Sequence, residues 1–410
     1  MLLVGIDWAE SDHAVCVMDA SGAIQQRLVV PHSAAGLRRL RAAVAEHEPE
    51  ATAVLIAIER PDGLLVDALL EAGYSVYALN PKVVERYRGR TRTSGAKTDR
   101  SDAELLARIV LVDRDRHRPW RPSSPAVQEL RALARDDERA GRDQVRLLNR
   151  LRQDVLSVFP QALAAFPHLN TIAALSFLER WPSAAAAAQI SDAELASLLR
   201  EHRHGWPTRA AERIRAALQA EALVAPAHLA RAKADTIRLT AQQLLLLHRQ
   251  RSAWEARLRE LLDSAAISPG GEVLLSVTGL STRLAARVLG EMGDQLERFP
   301  TPSALQCYAG TAPVTKASGR LRVVTVRFAC NRVLRQAVLQ WAHCSRQGSS
   351  WASAFYTQHR SAGKTHFAAL RQPLAGDPPP PAAHRPAVRR AAARAQSCFE
   401  AAGRGLIPEG

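Results

Sequence analysis

Short apolar runs alternate with helical patterns along the first part of the chain. Two apolar runs end at Ile6 and Ile58, and segments 13–18 and 24–30 are also strand-like and separated by a polar turn. This order predicts a β-hairpin followed by βαβ units, and hence a mixed sheet covered by helices. We therefore expect an α/β domain at residues 1–118.

The pattern becomes helical after the proline-rich segment 119–125. Residues 126–159 carry apolar side chains at alternating spacings of three and four, and 235–262 repeat this spacing with Arg251 at one otherwise apolar position. These stripes predict long helices, either coiled-coil arms or amphipathic helices packed on a core. We expect a linker and a long helical, coiled-coil-like region at 119–268.

The last part of the chain divides into a helical segment and a tail. Residues 269–371 predict a mainly α-helical domain that begins with a helix, a turn at Gly279 and a second helix, a motif whose amide groups can hold a phosphate. An Ala-rich stretch at 183–199, upstream of this domain, also predicts a helix. The Pro, Ala and Arg residues of 372–410 predict a disordered basic tail.

The charge of the chain points to a polyanionic partner. Lys and Arg number 55 against 40 Asp and Glu, which gives a net charge of +15, so nucleic acid is the first candidate and an acidic membrane surface the second. The predicted nucleic-acid surface combines the Gly279 turn with basic residues of the last domain. These are Lys316, Arg320, Arg322, Arg327, Arg332 and Arg335.

Cysteine usage and hydropathy bear on the compartment. The five Cys are widely scattered and show no zinc-ligand spacing, which favours buried thiols in a reducing compartment. The first residues carry no basic lead typical of a signal peptide, and the apolar stretches are shorter than a membrane span. We expect a cytoplasmic protein.

Four carboxylates occupy the ends of predicted elements. Asp7 and Glu59 each close an apolar run, whereas Asp99 and Asp102 lie three residues apart at a helix start and so share one helix face. Carboxylate oxygens are ligands that Mg²⁺ takes, and a pair of such ions stabilises both oxygens of an in-line phosphoryl displacement. The four acids together predict a metal-dependent site that cuts phosphodiesters.

Each acid also has an ordinary structural interpretation. Asp7 suits a turn or a helix cap, Glu59 suits an ion pair with Arg60, and Asp99 suits an N-cap with Asp102 in the acidic first turn. Ser318 likewise precedes Gly319 in a basic, turn-prone segment. A hydrolase triad would need a His and an Asp, and neither neighbours Ser318 in the sequence. From spacing alone, Ser318 is a loop residue.

Several motifs resemble those of the DEDD-type insertion-sequence transposases. In the first domain these are Gly5–Ala9, Ile58–Glu59, Asn80–Pro81 and Lys97–Ala103. A second set follows in the same order as in the family. Its members are Thr278–Gly279, Glu291–Asp294, Arg298–Pro300, Tyr308–Gly310, Ala312–Pro313, Ser318–Gly319 and Asn331–Arg335. The resemblance covers about residues 2–371 and stops where the tail begins.

The resemblance implies an architecture and a chemistry. It implies an RNase H/RuvC-like N-terminal domain, a coiled-coil arm and a C-terminal transposase domain that cuts and rejoins DNA strands. Mg²⁺ or Mn²⁺ would be held at four positions that match the family's acids. These are Asp7, Glu59, Asp99 and Asp102. Ser318 matches the serine that becomes joined to a DNA 5′ phosphate. The family also implies a homo-dimer or tetramer, and some members use a structured guide RNA.

Two other functions stay open at this point. A metal-dependent Holliday-junction-type endonuclease would cut by water attack, and its cleavage would survive Ser318→Ala but not Asp7→Ala. An inactive nucleic-acid-binding relic, suggested by the aberrant composition after residue 371, would bind with strong salt dependence and cleave nothing.

Overall fold

The computed structural model describes residues 1–91, 98–267, 270–319 and 321–371. The chain forms two compact units, Met1–Pro122 and a second that begins at Ser123. Within the described ranges, no helix combines the length and the apolar character needed to cross a membrane.

The first unit is built on a five-stranded mixed sheet. Its strands are β1 (Leu2–Asp7), β2 (Asp12–Asp19), β3 (Ile24–Pro31), β4 (Val54–Ile58) and β5 (Ser75–Ala78). Its helices are α1 (Ala34–Ala45), α2 (Leu64–Glu71), α3 (Pro81–Thr91) and α4 (Asp99–Asp113), with 3-10 turns at Ala51–Ala53 and Arg114–Arg116. The strand order is β3-β2-β1-β4-β5. Strand β2 is antiparallel to both β1 and β3, whereas β1, β4 and β5 are parallel to one another. The predicted mixed α/β sheet is confirmed.

Both faces of this sheet are covered because its central strands are apolar on both sides. Val4 and Ile6 pack with side chains of α1 and α2 on one face of the sheet. Leu3 lies on the other face, which it shares with Gly5, and packs with α4. Strand residues alternate between faces, so a strand buried on both sides is an almost continuous apolar run. The sequence Leu-Leu-Val-Gly-Ile of β1 has that character.

Gly5 lets the α4 backbone touch the centre of the sheet. A Cβ atom at this position would lie 1.8 Å from the carbonyl oxygen of Ala103 and 2.8 Å from the amide nitrogen of Ala107. Real Cβ contacts never come so close, so only glycine permits this approach. The contact fixes the first half of α4 against β1.

The second unit is mainly helical. Its long helices are α5 (Pro125–Val158) and α11 (Ala227–Asp263), and between them lie α6 (Gln161–Ala165), α7 (Ile172–Arg180), α8 (Ala184–Ala187), α9 (Asp192–Glu201) and α10 (Pro207–Leu218). Then follow α12 (Gly270–Ser276), α13 (Thr282–Met292), a 3-10 turn at Leu296–Arg298, α14 (Pro302–Ala309), β6 (Val314–Ser318), β7 (Leu321–Thr325), α15 (Arg332–Gly348), α16 (Ser350–Ser361) and α17 (His366–Arg371).

The two long helices pack antiparallel, which follows from the order of their polar contacts. Asp137 pairs with Arg251 at 2.9 Å, Gln144 with His248 at 2.9 Å, and Asp154 lies farther along α5 opposite Lys233. The buried side chains of α5 recur every seven residues. They include Leu130, Asp137, Gln144, Leu151 and Val158. Both predicted segments form long helices, although α11 begins at Ala227, eight residues before the predicted start at 235. A coiled-coil arm stays a prediction.

Residues 159–226 form a helical insert between the long helices. Phe159 and Phe177 are fully buried in its core, which also includes the neighbouring ends of α5 and α11. The helical character predicted over 183–199 is confirmed, but as two helices with a break between them. Ser183 and Ser191 each cap a separate helix start, so the segment divides into α8 and α9.

Candidate functional site

Two of the predicted acids extend from neighbouring strands of the first unit. Asp7 is the last residue of β1, and Glu59 directly follows β4. The two strands are parallel and in register, with Ile6 paired to Ile58. The two carboxylates therefore leave the same edge of the sheet from adjacent strands, where a ligand crevice forms in sheets of this kind.

Strand alternation places both acids on the α4 side of the sheet. Asp7 shares its face with Gly5, against which α4 packs, and Glu59 shares its face with Ala57, whose side chain belongs to the α4 core. On α4, Asp102 immediately precedes Ala103, the residue whose carbonyl contacts Gly5. The elements that carry Asp7, Glu59 and Asp102 thus meet at one end of β1. We call this group, together with Asp99, the acidic edge.

The start of α4 differs from the expected capping arrangement. Thr98 is the N-cap, and its side chain accepts a bond from the Ser101 amide while Ser101 Oγ accepts one from the Thr98 amide. Asp99 is therefore the first helical residue and not the cap. Asp99 is exposed and Asp102 is buried, and both lie in the first turn, where the helix dipole favours negative charge.

Arg88 of α3 binds the buried acid of this edge. Its Nη2 and Nε lie 2.9 Å and 3.2 Å from Oδ1 of Asp102, whose side chain is 6% exposed. A buried carboxylate needs such a compensating charge. Nothing in the sequence pattern singled out Arg88, because it is one of several basic residues on a short helix.

The acidic edge is not a ready-made set of metal ligands. Within the ranges that the structure describes, no group of three or more His, Cys, Asp or Glu is placed to hold a metal ion. The donor chemistry nevertheless fits Mg²⁺ or Mn²⁺, since all four side chains are carboxylates. Asp102 would exchange its Arg88 contact for the ion. Metal ligation by the four acids stays a prediction.

Aromatic and basic side chains join the two strand ends beyond the acids. The Arg60 guanidinium lies 4.3 Å from the Trp8 ring centroid, a cation–π contact between the residues that follow Glu59 and Asp7. His13 is buried beside them, accepts from the Ala9 amide at Nδ1 and bonds His32 through Nε2 at 2.9 Å. Burial and the His32 charge lower the pKa of His13, although Asp12 opposes them.

Ser318 lies at the tip of an exposed β-hairpin in the second unit. It is the last residue of β6 and pairs with Leu321 of β7. The connecting residues are Gly319, with φ of +55°, and Arg320, which lies outside the described residues. A two-residue hairpin connection favours such a left-handed conformation. The loop assignment of Ser318 is therefore wrong, since the residue belongs to a strand.

Within the described part of the chain, the Ser318 side chain makes no hydrogen bond and has no neighbouring base. Lys316 shares its strand face two residues away, whereas Arg322 points to the other face. Arg332 is exposed at the start of α15. Lys316, Arg322 and Arg332 are thus available at the surface, as the prediction of a basic surface requires.

Two other predicted basic residues brace the base of the hairpin. Arg327 donates to the Ala312 carbonyl at 3.3 Å, and Arg335 donates to the Arg327 carbonyl at 3.2 Å. At the same place, a Cβ on Gly310 would lie 2.5 Å from Sγ of Cys330. The incoming and outgoing chains of the hairpin are therefore clamped together.

A buried carboxylate fixes the element that follows the hairpin. Glu291 accepts two bonds from Arg135, at 2.6 Å and 3.0 Å, and one from Asn331 at 2.7 Å. Asn331 in turn caps α15 through the Val333 and Leu334 amides. Burial alone would raise the pKa of Glu291, but the bonds from Arg135 and Asn331 offset this and leave it lowered. Glu291 thus holds the start of α15.

The predicted phosphate-binding turn packs against α15. Gly279 has φ of +87°, and the preceding Thr278 carbonyl accepts bonds from Trp341 Nε1 and Ser345 Oγ, each at 3.1 Å. A helix, a glycine turn and a helix are present, as α12 and α13. Phosphate binding by this turn stays a prediction.

Known proteins match both units. Residues 4–160 match the DEDD transposase family of IS110, and residues 271–357 match a family described as Transposase IS116/IS110/IS902. These matches define the chain as a transposase by class. The mini-circle putative transposase for IS117 of Streptomyces coelicolor is 36% identical over 380 residues, covering 90% of each chain. The chain belongs to the IS116/IS110/IS902 family of transposases, which confirms the resemblance seen in its motifs.

Other relatives agree with this assignment. The putative transposase y4uE of Sinorhizobium fredii is 34% identical over 48% of this chain and 56% of its own. Among solved structures, T. thermophilus RuvC in complex with a Holliday junction substrate covers 29% of this chain and 99% of its own, at 18% identity and a TM-score of 0.22. A likeness at that level says nothing about the chemistry of this chain.

Proposed function

We propose that this protein cuts and rejoins the DNA strands of an insertion sequence, using a divalent ion at the acidic edge and Ser318 as the nucleophile. The observation that supports the proposal is the packing of β1, β4 and α4, which carry Asp7, Glu59 and Asp102 and meet where α4 contacts Gly5. The family membership makes strand transfer the chemistry that such an edge would serve.

The acids at this edge are suited to a divalent ion. Asp7 and Glu59 come from rigid parallel strands, and Asp102 comes from a helix fixed against the same sheet. Asp99 adds an exposed carboxylate one helical turn before Asp102. A bound Mg²⁺ or Mn²⁺ would supply Lewis-acid polarisation of the scissile phosphate. Before an ion binds, Arg88 pairs with Asp102, which limits the free-energy cost of burying the Asp102 carboxylate.

Ser318 is suited to attack because it is exposed at the tip of a hairpin whose base is clamped. Its Oγ would form a bond to the phosphorus as the bond from phosphorus to the 3′ oxygen breaks. The hydroxyl proton ends on the released 3′ oxygen, and the DNA 5′ phosphate stays joined to the serine. Reversal with another 3′ hydroxyl rejoins the strands, so one difficult step becomes two.

The partner proposed for this chemistry is DNA, with a structured guide RNA as a second polyanion. A net charge of +15 suits both, and Lys316 lies on the same strand face as Ser318. We also propose a homo-dimer or tetramer that brings Ser318 of one subunit to the acidic edge of another. Exposed apolar side chains on the hairpin and just after it support this, since Leu321 is 67% exposed and Phe328 is 72% exposed.

The test incubates the full chain with its element-end DNA, any adjacent RNA and Mg²⁺, followed by a denaturing gel. Protein-linked DNA is expected, and it should disappear in Ser318→Ala and in Asp102→Asn. Thr315→Ala removes an exposed hydroxyl from the opposite face of β6 and should keep the adduct. Asp113→Asn removes an acid from the far end of α4 and should also keep it.

Other outcomes would overturn the proposal. Nicked DNA without an adduct, unaffected by Ser318→Ala, would assign the protein to the metal-dependent endonucleases that cut by water attack. Binding without any cleavage, in all variants alike, would identify an inactive nucleic-acid-binding protein.

A further inference from the structure

The helical insert contains a cavity of about 720 Å³ that the proposed strand transfer does not use. Its walls come from the segment around α6 and α7, the end of α9 and the following turn, and α10. Phe166, Ile172 and Leu199 form an apolar side. His168, Arg203 and Arg213 contribute basic groups to the same cavity. Apolar walls with a few polar groups are typical of a ligand site.

The basic character of this cavity is local. Residues 159–226 contain six Arg against one Asp and five Glu, so the insert as a whole carries no net charge apart from its His. Glu201 also lines the cavity, but Arg180 binds its carboxylate at 2.8 Å. The guanidinium groups of Arg203 and Arg213 have no hydrogen bond or ion pair with any residue that the structure describes. Two unengaged guanidinium groups therefore face a cavity whose only acid is already paired, which favours an anionic ligand.

The turn after α9 holds Arg203 in an unusual conformation. Arg203 has φ of +55°, and no other described residue except glycine has a positive φ. The turn is closed by bonds from the His202, Arg203 and His204 amides to carbonyls of α9. A left-handed residue directly after a helix is usually glycine or asparagine, so arginine at this position carries a backbone cost.

The same turn offers a hydrogen-bond donor or acceptor and an aromatic surface. Nε2 of His202 is enclosed and has no partner within the described chain, and His202 lines the cavity. Trp206 directly follows Gly205 of the lining and is 76% exposed. Unpaired nucleobases need both features, since they are bound by stacking and by hydrogen bonds to their edges.

We propose that this cavity binds an unpaired nucleotide of a single nucleic-acid strand, with its phosphate on Arg203 and Arg213 and its base against the apolar wall and His202. The inference rests on the proposed function in so far as a transposase meets unpaired strands. DNA and RNA share this chemistry, and the experiment separates them.

The test measures binding of the full chain to short labelled oligothymidylate and oligouridylate strands of equal length by fluorescence anisotropy. In the double variant Arg203→Gln/Arg213→Gln, affinity should fall about tenfold or more. The salt slope of log K should also fall by about 0.7 for each phosphate that the variant no longer neutralises. Trp206→Ala removes the exposed aromatic surface beside the lining and should weaken binding by about tenfold. The matched control is Arg200→Gln/Arg231→Gln, which removes two exposed Arg outside the cavity lining.

A second measurement locates the bound strand independently of any change in affinity. Strands carrying a single 4-thio pyrimidine are crosslinked by light, and the modified peptides are mapped. Crosslinks are expected between residues 165 and 214, where the lining residues lie. Circular dichroism of each variant checks that α9 and α10 still form.

The results decide the inference in either direction. Crosslinks confined to other parts of the chain, or equal affinity and salt slope in the cavity variant and its control, would overturn it. A stronger effect on one of the two strands identifies that strand as the ligand. If the cavity binds the strand but no Ser318 adduct forms, the proposed function fails alone. If the adduct forms while the cavity variant binds normally, only the cavity assignment fails.

Discussion

Replacing Gly5 with alanine should separate the two halves of the acidic edge. The added Cβ would lie 1.8 Å from the Ala103 carbonyl oxygen, whereas real Cβ contacts stay above 3.0 Å, so α4 and β1 must part by at least 3.0 − 1.8 = 1.2 Å. The obstructing atom is backbone and cannot swing aside. We expect a loss of about 3 kcal/mol in the stability of the first unit, the upper end of the usual cost of overpacking.

The same displacement should impair strand transfer more than binding. Asp102 precedes Ala103 and would move with it, and a misplacement of about 1 Å costs roughly 100-fold in rate. Adduct formation should fall accordingly, while affinity for element-end DNA changes little. Urea unfolding followed by hydrogen exchange in β1 and α4 peptides measures the stability of this unit without contribution from the second.

Gly89→Ala is the matched control for this substitution. A Cβ there meets no atom within 4 Å, and Gly89 lies in α3, where alanine is favoured by about 1 kcal/mol. This variant should be as stable as the parent or more so. Equal protection of β1 and α4 in Gly5→Ala and Gly89→Ala would refute the close-packing account of the acidic edge.

Three further predictions concern charge, pH and metal. Glu291→Ala should destabilise the second unit by about 2 kcal/mol in urea unfolding, less than a fully buried pair would cost because Arg135 is 44% exposed; an unchanged midpoint would argue against its role at the start of α15. Burial lowers the pKa of His13, so the folded state favours the neutral imidazole. The contribution of His13 to the free energy of unfolding is therefore present above about pH 6.5 and lost as the pH falls through the folded-state pKa. His13→Gln should remove this part of the pH dependence of thermal unfolding. Mn²⁺ at about 100 times its Kd should stabilise the first unit by about 2.7 kcal/mol, and equal stabilisation of Asp7→Asn would contradict the metal assignment.

The sheet of the first unit was predictable because its pattern is local. Apolar runs ending in Asp7 and Glu59 show both the strands and the positions of their final acids, and the i, i+3 spacing of Asp99 and Asp102 fixes their shared helix face. The Arg88 contact was not predictable, since an ion pair across fourteen residues depends on how α3 and α4 pack.

The predictions of secondary structure in the second unit failed for different physical reasons. The strand that ends at Ser318 lacks apolar alternation, because the hairpin is exposed on both faces and basic residues interrupt it. The first turns of α11 are rich in Ala and carry no apolar stripe, so a prediction based on periodicity missed the helix start at Ala227. Cap residues would have found the break between α8 and α9, since Ser191 and Glu194 form a capping box.

The polar layer between α5 and α11 determines where the helical insert of residues 159–226 lies along this helix pair. Asp137, Gln144 and Arg251 occupy seam positions that leucine would fill in a uniformly apolar pair. A slip of one heptad, about 10.5 Å along the helix, would carry Arg251 away from the buried carboxylate of Asp137. Only one alignment of α5 and α11 keeps this ion pair, so the polar layer fixes the register of the two helices. Because α13 packs against α5, α11 and α15, this alignment also determines where the insert lies relative to the helices on either side of the Ser318 hairpin.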